Sequence, residues 1–356
     1  MIQCVRRSMW CFLPFLIWGC REAGVDRSTS YLEIRGETMG TYYQVRYADP
    51  SMREFKKAID SLLLQINLEV STYIPTSTIS MFNQSGKDFL LSYNPNGGQV
   101  PYPNQHLKAN LLRARDIYLE THGYFDPTVM PLVNYWGFGY TEKKKVEAVD
   151  SVRIDSLVQL VGFDQVIWKE DANLLSKDKM GVQLDLSACA KGYGVDAVAA
   201  LLATRGITNY MVEIGGEVVV KGLNAKGKPW SIAVSLPKEG AGLQDIQAIL
   251  ALKDMAVATS GNYRNFYEVA GEKFAHIISP FTGFTEKSNL LSVSVLANDC
   301  ITADAYATAF MVMGLEKALA FAKEKTTIEA YFIYSNPDGS MAVAYTDGIP
   351  PLLTEL

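Results

Sequence analysis

Residues 185–236 read DLSACAKGYGVDAVAALLATRGITNYMVEIGGEVVVKGLNAKGKPWSIAVSL, and the choice of fold turns on this stretch. Lys191 to Arg205 has helical spacing, and Gly206 stands where a helix takes a left-handed C-terminal residue. Tyr210 to Lys221 and Trp230 to Leu236 are rich in β-formers and flank a Gly/Asn/Lys turn, which predicts a hairpin joining the two runs. A helix followed by hairpin-connected strands departs from strict strand–helix alternation, so the predicted class is α+β.

The same stretch holds two imitations of phosphate loops. Gly222 to Lys228 has P-loop glycine spacing, but Pro229 occupies the position where Ser or Thr would meet magnesium, and the segment lies between strands. Gly192-Tyr-Gly194-Val-Asp-Ala197 imitates a dinucleotide fingerprint. Its glycines open a helix directly after Lys191, with no strand abutting them.

Outward from there the mixture continues. Thr41 to Tyr47 alternates as a strand; Met52 to Leu68 and Gln105 to Glu120 carry helical spacing; Glu142 to Ser151 is a charged connection. Ser151 to Val161 is a short helix and Asp164 to Trp168 a strand. Strands follow at Met255–Thr259, Tyr263–Val269, Lys273–Ile278 and Leu291–Ala297. Thr302 is placed to cap a helix to Met313, Gly314 interrupts it before Leu315–Lys323, and Ala330–Tyr334 and Met341–Tyr345 are the last strands. No repeat interrupts the pattern.

The chain has 356 residues, 48% hydrophobic and 20% charged, which excludes disorder, collagen and coiled coil as its bulk state. Lys+Arg 33 against Asp+Glu 38 leaves it acidic, so nothing points to nucleic acid. Five cysteines are too few for a disulfide scaffold, and no two of His106, His122 and His276 are spaced as a zinc pair.

The first nineteen residues read as an export signal: Arg6 and Arg7, an apolar run from Trp10 to Trp18 broken by Pro14, then Gly19 before Cys20. The run falls short of the roughly 20 apolar residues a spanning helix wants. Ile17-Trp18-Gly19-Cys20 resembles a bacterial lipoprotein box, in which Cys20 is lipidated; Trp18 departs from its usual small residue. The expected organisation is a signal peptide over 1–19, a polar tether over 20–30 and one domain over 31–356. The chain is thus expected outside the cytoplasm, lipid-anchored at the outer, periplasmic face of the inner membrane. Cys4 and Cys11 leave with the signal, so Cys189 and Cys300 remain as two buried thiols or one bridge.

Candidate chemistry is sparse and dispersed. Asp304 and Thr308 lie four apart at a helix start and share one side; a carboxylate and a hydroxyl there suit a hard cation with positions left for phosphate oxygens, or else support and pack the helix. Asp185 and Lys191 lie six apart before a helix, where a lysine can meet a phosphate or be solvated. His276 follows an alternating run and is either a general base or a structural strand histidine. Gly215-Gly216 and Thr259-Ser260-Gly261 are turns where backbone can approach a ligand closely.

Together and in order, these segments resemble the ApbE-type FAD:protein FMN transferases, also called thiamine biosynthesis lipoproteins. The matches are Thr38-Met39-Gly40-Thr41, Ser71-Thr72-Tyr73, Phe125-Asp126-Pro127-Thr128-Val129, Asp185 to Asp196, Gly215-Gly216-Glu217, Ala258-Thr259-Ser260-Gly261, His276 to Pro280 with Thr282-Gly283, and Ala303-Asp304-Ala305 with Ala307-Thr308. The resemblance implies a single domain of two intertwined subdomains that binds FAD and Mg2+, joins FMN to a threonine hydroxyl of an acceptor protein and releases AMP. It makes Asp304, Thr308 and the Ala188 carbonyl the metal ligands. Met39, Tyr73, Phe125, Asp126, Asp185, Lys191 and Ile278 become the FAD contacts, and His276 the acceptor of the threonine proton. It implies an acceptor among membrane electron-transport subunits. It also brings the segments of Cys189 and Cys300 together, which allows a bridge without requiring one.

Three positions depart from the family pattern: Ser279 for Asp, Phe281 for Arg, and Glu217 for Asp. They touch acceptor choice more than the reaction. The same site with water as acceptor would make an FAD pyrophosphatase, and with no turnover a flavin-binding lipoprotein.

Overall fold

The β-rich run from Tyr210 to Lys221 folds back on itself. Gly215 and Gly216, at φ 62° and 107°, turn the chain so that Ile214 pairs with Glu217 and Tyr210 with Lys221. The expected hairpin between this run and Trp230–Leu236 is therefore a correction. Two adjacent glycines make the tighter turn, and the Gly222–Pro229 segment carries the chain to a different sheet.

The computed structural model describes residues 30–354 apart from 98–101, 142–145, 147, 239, 241–243, 263–265, 270–271 and 287. The signal segment, Cys20, nearly all of the tether, much of the charged 142–151 connection and the start of the 263–269 strand lie outside them. In chain order the first elements are β1 (Tyr31–Thr38), β2 (Thr41–Ala48), α1 (Lys56–Val70), α2 (Thr78–Gln84), β3 (Asp88–Leu90), α3 (Gln105–Glu120), α4 (Met130–Tyr135) and α5 (Ser151–Val158). Next come β4 (Val166–Lys169), β5 (Leu174–Lys177), α6 (Ala190–Thr204), β6 (Tyr210–Ile214), β7 (Glu217–Lys221), β8 (Trp230–Ser235), β9 (Ile246–Leu252) and β10 (Met255–Gly261). The last are β11 (Phe266–Val269), β12 (Glu272–Ala275), β13 (Leu290–Ala297), α7 (Cys300–Met313), α8 (Leu315–Glu324), β14 (Glu329–Ser335), β15 (Met341–Tyr345) and β16 (Leu353–Thr354).

One eight-stranded antiparallel sheet, in the order β1-β2-β6-β7-β10-β13-β14-β15, organises the domain. Its central strands are apolar on both faces, because both faces are covered. Val212, Ile214, Val219, Ala256, Ala258, Val293, Val295, Ala330 and Phe332 face the large core under α6 and α7. Their neighbours Met211, Val218, Val220, Val257, Leu296, Tyr331 and Ile333 face a second core closed by the β16-β9-β8 sheet. Each fully buried side chain of this size contributes roughly 1.5–3 kcal/mol of transfer free energy.

Helix α7 is apolar all round, and its residues 300–307 and 309–312 are buried. Its N-cap is Asp299, whose Oδ1 accepts the Thr302 amide at 3.0 Å. The expected Thr302 cap is thus displaced by three residues: Asp299 is extended and reaches forward, whereas Thr302 already lies in the first turn. A smaller core of Leu132, Trp136, Ile154, Phe274 and Ile278 carries the His276 segment. Cys189 and Cys300 are buried free thiols, turned towards Asn110 and Val257 respectively, and burial pushes both thiols up. Among the described residues no helix is long and apolar enough to cross a membrane.

Candidate active site

Strand alternation puts a charge where an apolar residue would normally sit. Val219 faces the helix side of the main sheet, so Glu217, two residues earlier, faces it too and is buried. Its Oε1 lies 2.5 Å from the Lys191 ammonium at the start of α6, and Lys191 is 4.0 Å from Asp304 Oδ1 on α7. Asp304 Oδ2 accepts the Gly192 amide at 3.0 Å, so that amide is not turned to the Ala188 carbonyl four residues back.

One ammonium faces two buried carboxylates here. The paired acids raise the Lys191 pKa over the opposing pull of burial, while burial pushes Glu217 up to about 7 and raises Asp304. Glu217 Oε2 is buried with no hydrogen-bond partner. One turn along α7, Thr308 is the partly exposed residue in an otherwise buried run, and its hydroxyl lies 3.5 Å from that of Ser260 on β10. An excess carboxylate, an orphaned buried oxygen and a pair of hydroxyls form the donor chemistry of a hard cation. Among the described residues no three His, Cys, Asp or Glu side chains group as a metal site, so carbonyl and hydroxyl oxygens would have to complete the ligand set.

The other sequence candidates continue from this cluster. Met39 occupies the β1–β2 turn at φ 50°, and its Sδ and Cε lie against Gly194 of α6. The Asp185 amide donates to the Pro127 carbonyl at 2.7 Å, which joins the Phe125-Asp126 turn to the loop before α6. The Asp185 carboxylate accepts the Ser187 amide at 2.9 Å; burial raises its pKa, and its charge helps raise that of Tyr73. Tyr73 is 64% exposed, and its hydroxyl reaches the Phe138 carbonyl at 3.5 Å. The Phe138 ring meets His276 edge-on, with centroids 6.3 Å apart. Contacts thus run from Tyr73 through Phe138 to His276, and separately from Lys191 to Glu217 and Asp304.

Three candidates keep their side chains to themselves. Phe125 is packed in the large core, and Ile278 in the small one, where its backbone pairs with Thr285. Asp126 Oδ1 accepts the Thr128 amide at 2.8 Å and hydroxyl at 2.5 Å, and burial pushes its carboxyl up to about 6. Phe125 and Ile278 have only backbone to offer a ligand.

The two phosphate-loop imitations have other uses. Asn224 Oδ1 accepts the Lys226 and Lys228 amides at 2.8 and 3.2 Å, which makes the first a strand-to-strand turn. Gly192 belongs to a backbone contact: a Cβ there would lie 2.4 Å from the Cys300 carbonyl oxygen. Of the departures, Ser279 keeps a local acceptor, its Oγ taking the Thr282 amide at 3.4 Å. Phe281 is 52% exposed and edge-on to Tyr124 at 4.9 Å. The sequence reading missed the Glu217–Lys191 pair. Its signal was a lone acid at an inward position of an apolar strand.

This arrangement defines an α+β protein with a buried lysine and two buried carboxylates gathered between one sheet and the starts of two helices. The ApbE family model matches residues 39–332, and the chain belongs to that family. It is 38% identical to the FAD:protein FMN transferase of Vibrio cholerae, over 89% of this chain and 91% of that protein. It is 37% identical to that of Haemophilus influenzae, over 89% and 90%. Among solved structures, the flavin transferase ApbE from Vibrio cholerae superposes with a TM-score of 0.78 at 36% identity, over 91% of this chain and 99% of that one. The flavinyl transferase ApbE of Pseudomonas stutzeri, apo form, gives 0.77 at 28% identity, over 91% and 96%.

Proposed function

We propose that this chain transfers the FMN moiety of FAD to a threonine hydroxyl of an acceptor protein and releases AMP. The relatives named for that reaction support it over nearly their full length. The observation that carries it is the buried Lys191, Glu217 and Asp304 cluster, which leaves one Glu217 carboxylate oxygen without a hydrogen-bond partner. A Mg2+ ion held by Asp304, Thr308 and the Ala188 carbonyl would neutralise charge on the pyrophosphate oxygens.

The chain's own residues do the rest. Lys191, kept charged by Glu217 and Asp304, adds a fixed positive charge beside the pyrophosphate. Tyr73 offers an exposed ring for stacking, and Met39, Asp185 and the backbone of Phe125, Asp126 and Ile278 hold the nucleotide. His276 takes the threonine proton as the hydroxyl oxygen bonds to the FMN phosphorus; the bond from that phosphorus to the AMP oxygen breaks, and AMP carries away the electron pair. Phosphoryl transfer needs chiefly such positioning and neutralisation. Further proposals are lipidation of Cys20, export to the periplasmic face of the inner membrane, and an acceptor that is a membrane electron-transport subunit.

His276→Ala tests the base. It should lower transfer by about 10²–10⁴-fold while FAD still binds. Unchanged flavinylation by this variant would remove His276 from the role.

A further inference from the structure

The first amides of a helix have no partner within it, and α6 and α7 supply each other's. Asp196 on α6 accepts the Cys300 and Ile301 amides of α7 at 2.8 and 2.9 Å. Asp304 on α7 returns the contact, accepting the Gly192 amide of α6 at 3.0 Å. Between the two exchanges the helices touch backbone to backbone, since a Cβ on Gly192 would meet the Cys300 carbonyl oxygen at 2.4 Å.

We infer that Asp196 is a positioning residue for the reaction: it fixes the start of α7 against α6 and so sets Asp304 beside Gly192 and Lys191. Helix α7 already has its own cap in Asp299, which satisfies the Thr302 amide. Asp196 therefore adds an anchor between helices. Asp304 lies three residues beyond Ile301, about one turn along the same rigid helix, so any rotation or slide of α7 moves its carboxylate with it.

The consequence for metal binding rests on the cation being held at Asp304; the geometric claim does not. The test uses the full chain in detergent, as wild type and as Asp196→Ala, Asp196→Asn, Asp299→Ala and Asp304→Ala. In protein free of metal and FAD, amide hydrogen exchange at Gly192 should speed up about tenfold or more in Asp196→Ala and stay near wild type in Asp299→Ala. Asp196→Asn keeps a carbonyl acceptor and should fall between, which preserves the test if the alanine variant folds poorly. Titration with MgCl2 should then show half-saturation of FAD cleavage raised about tenfold in Asp196→Ala, with kcat at saturating Mg2+ within about threefold of wild type. Unchanged exchange at Gly192 in both Asp196 variants overturns the inference. So do equal changes in Asp196→Ala and Asp299→Ala, which would make Asp196 an ordinary cap. Faster Gly192 exchange in a protein whose Mg2+ dependence is untouched by Asp304→Ala upholds the positioning and removes the cation from Asp304.

Discussion

Met39 occupies a turn position where folding alone would favour another residue. It sits in the left-handed region at φ 50°, followed by Gly40 at φ 72°, in a two-residue turn where Thr38 pairs with Thr41. Asn-Gly is the ordinary solution for such a turn, and a longer side chain costs about 1 kcal/mol there. Its Sδ and Cε lie against Gly194, beside the start of α6. Met39→Asn is therefore expected to leave stability within about 1 kcal/mol of wild type and to weaken FAD binding about tenfold. Calorimetric titration with FAD and a urea melt separate the two; full FAD affinity in the variant would make Met39 a turn residue only. The sequence made Met39, Asp304 and Thr308 visible through an ordered pattern of short motifs. It hid the pairing of Lys191 with Glu217, because a contact 26 residues apart depends on which strand face points inward.

At the element scale, α6 and α7 behave as one unit that presents Lys191, Asp304 and Thr308 together. Gly192→Ala tests this. Its Cβ would strike the Cys300 carbonyl oxygen, a backbone atom that cannot rotate away, and overpacking of this kind costs about 1–3 kcal/mol. Denaturant unfolding should show that loss, and transfer at fixed Mg2+ should fall more steeply than the folded fraction does. A variant of wild-type stability would mean that the helices part easily. Neighbouring elements explain why glycines that imitate a nucleotide fingerprint stand here: Gly192 abuts the Cys300 backbone, and Gly194 abuts the side chains of Met39 and Ile214. Helices α1 and α3 were legible from periodicity, since a buried stripe repeats locally, although α1 begins at Lys56 and not Met52, and α2 and α4 are too short to show a stripe. The β7–β8 connection was misread because a run of β-formers does not show where it reverses, and Gly215-Gly216 offered a tighter turn than the longer Gly222–Pro229 segment.

The whole molecule carries buried acids whose protonation couples folding to pH. Asp126 is the clearest, with burial pushing its carboxyl from 3.8 up to about 6. A raised folded pKa means the native state holds a proton that the unfolded chain releases earlier. The contribution from Asp126 is fully present below about pH 4, is lost as pH rises to about 6 and is flat above, amounting to roughly 1–3 kcal/mol. Asp126→Asn keeps the acceptor for Thr128 and should remove this part of the slope, as urea melts at pH 4.5 and 7 would show. An identical slope in the variant would place the titration elsewhere. At this scale the fold class and family were legible because the motifs run in order along nearly the whole domain. The division of the main sheet into two covered faces was not, since it depends on strand order.

FMN transfer is tested by incubating the full chain in detergent with FAD, MgCl2 and a threonine-bearing flavin-acceptor domain, and reading all products by mass spectrometry. The expected result is the FMN mass on the acceptor threonine, stoichiometric AMP and loss of both with EDTA. FMN and AMP free in solution beside an unmodified acceptor would contradict it and make water the substrate of this site.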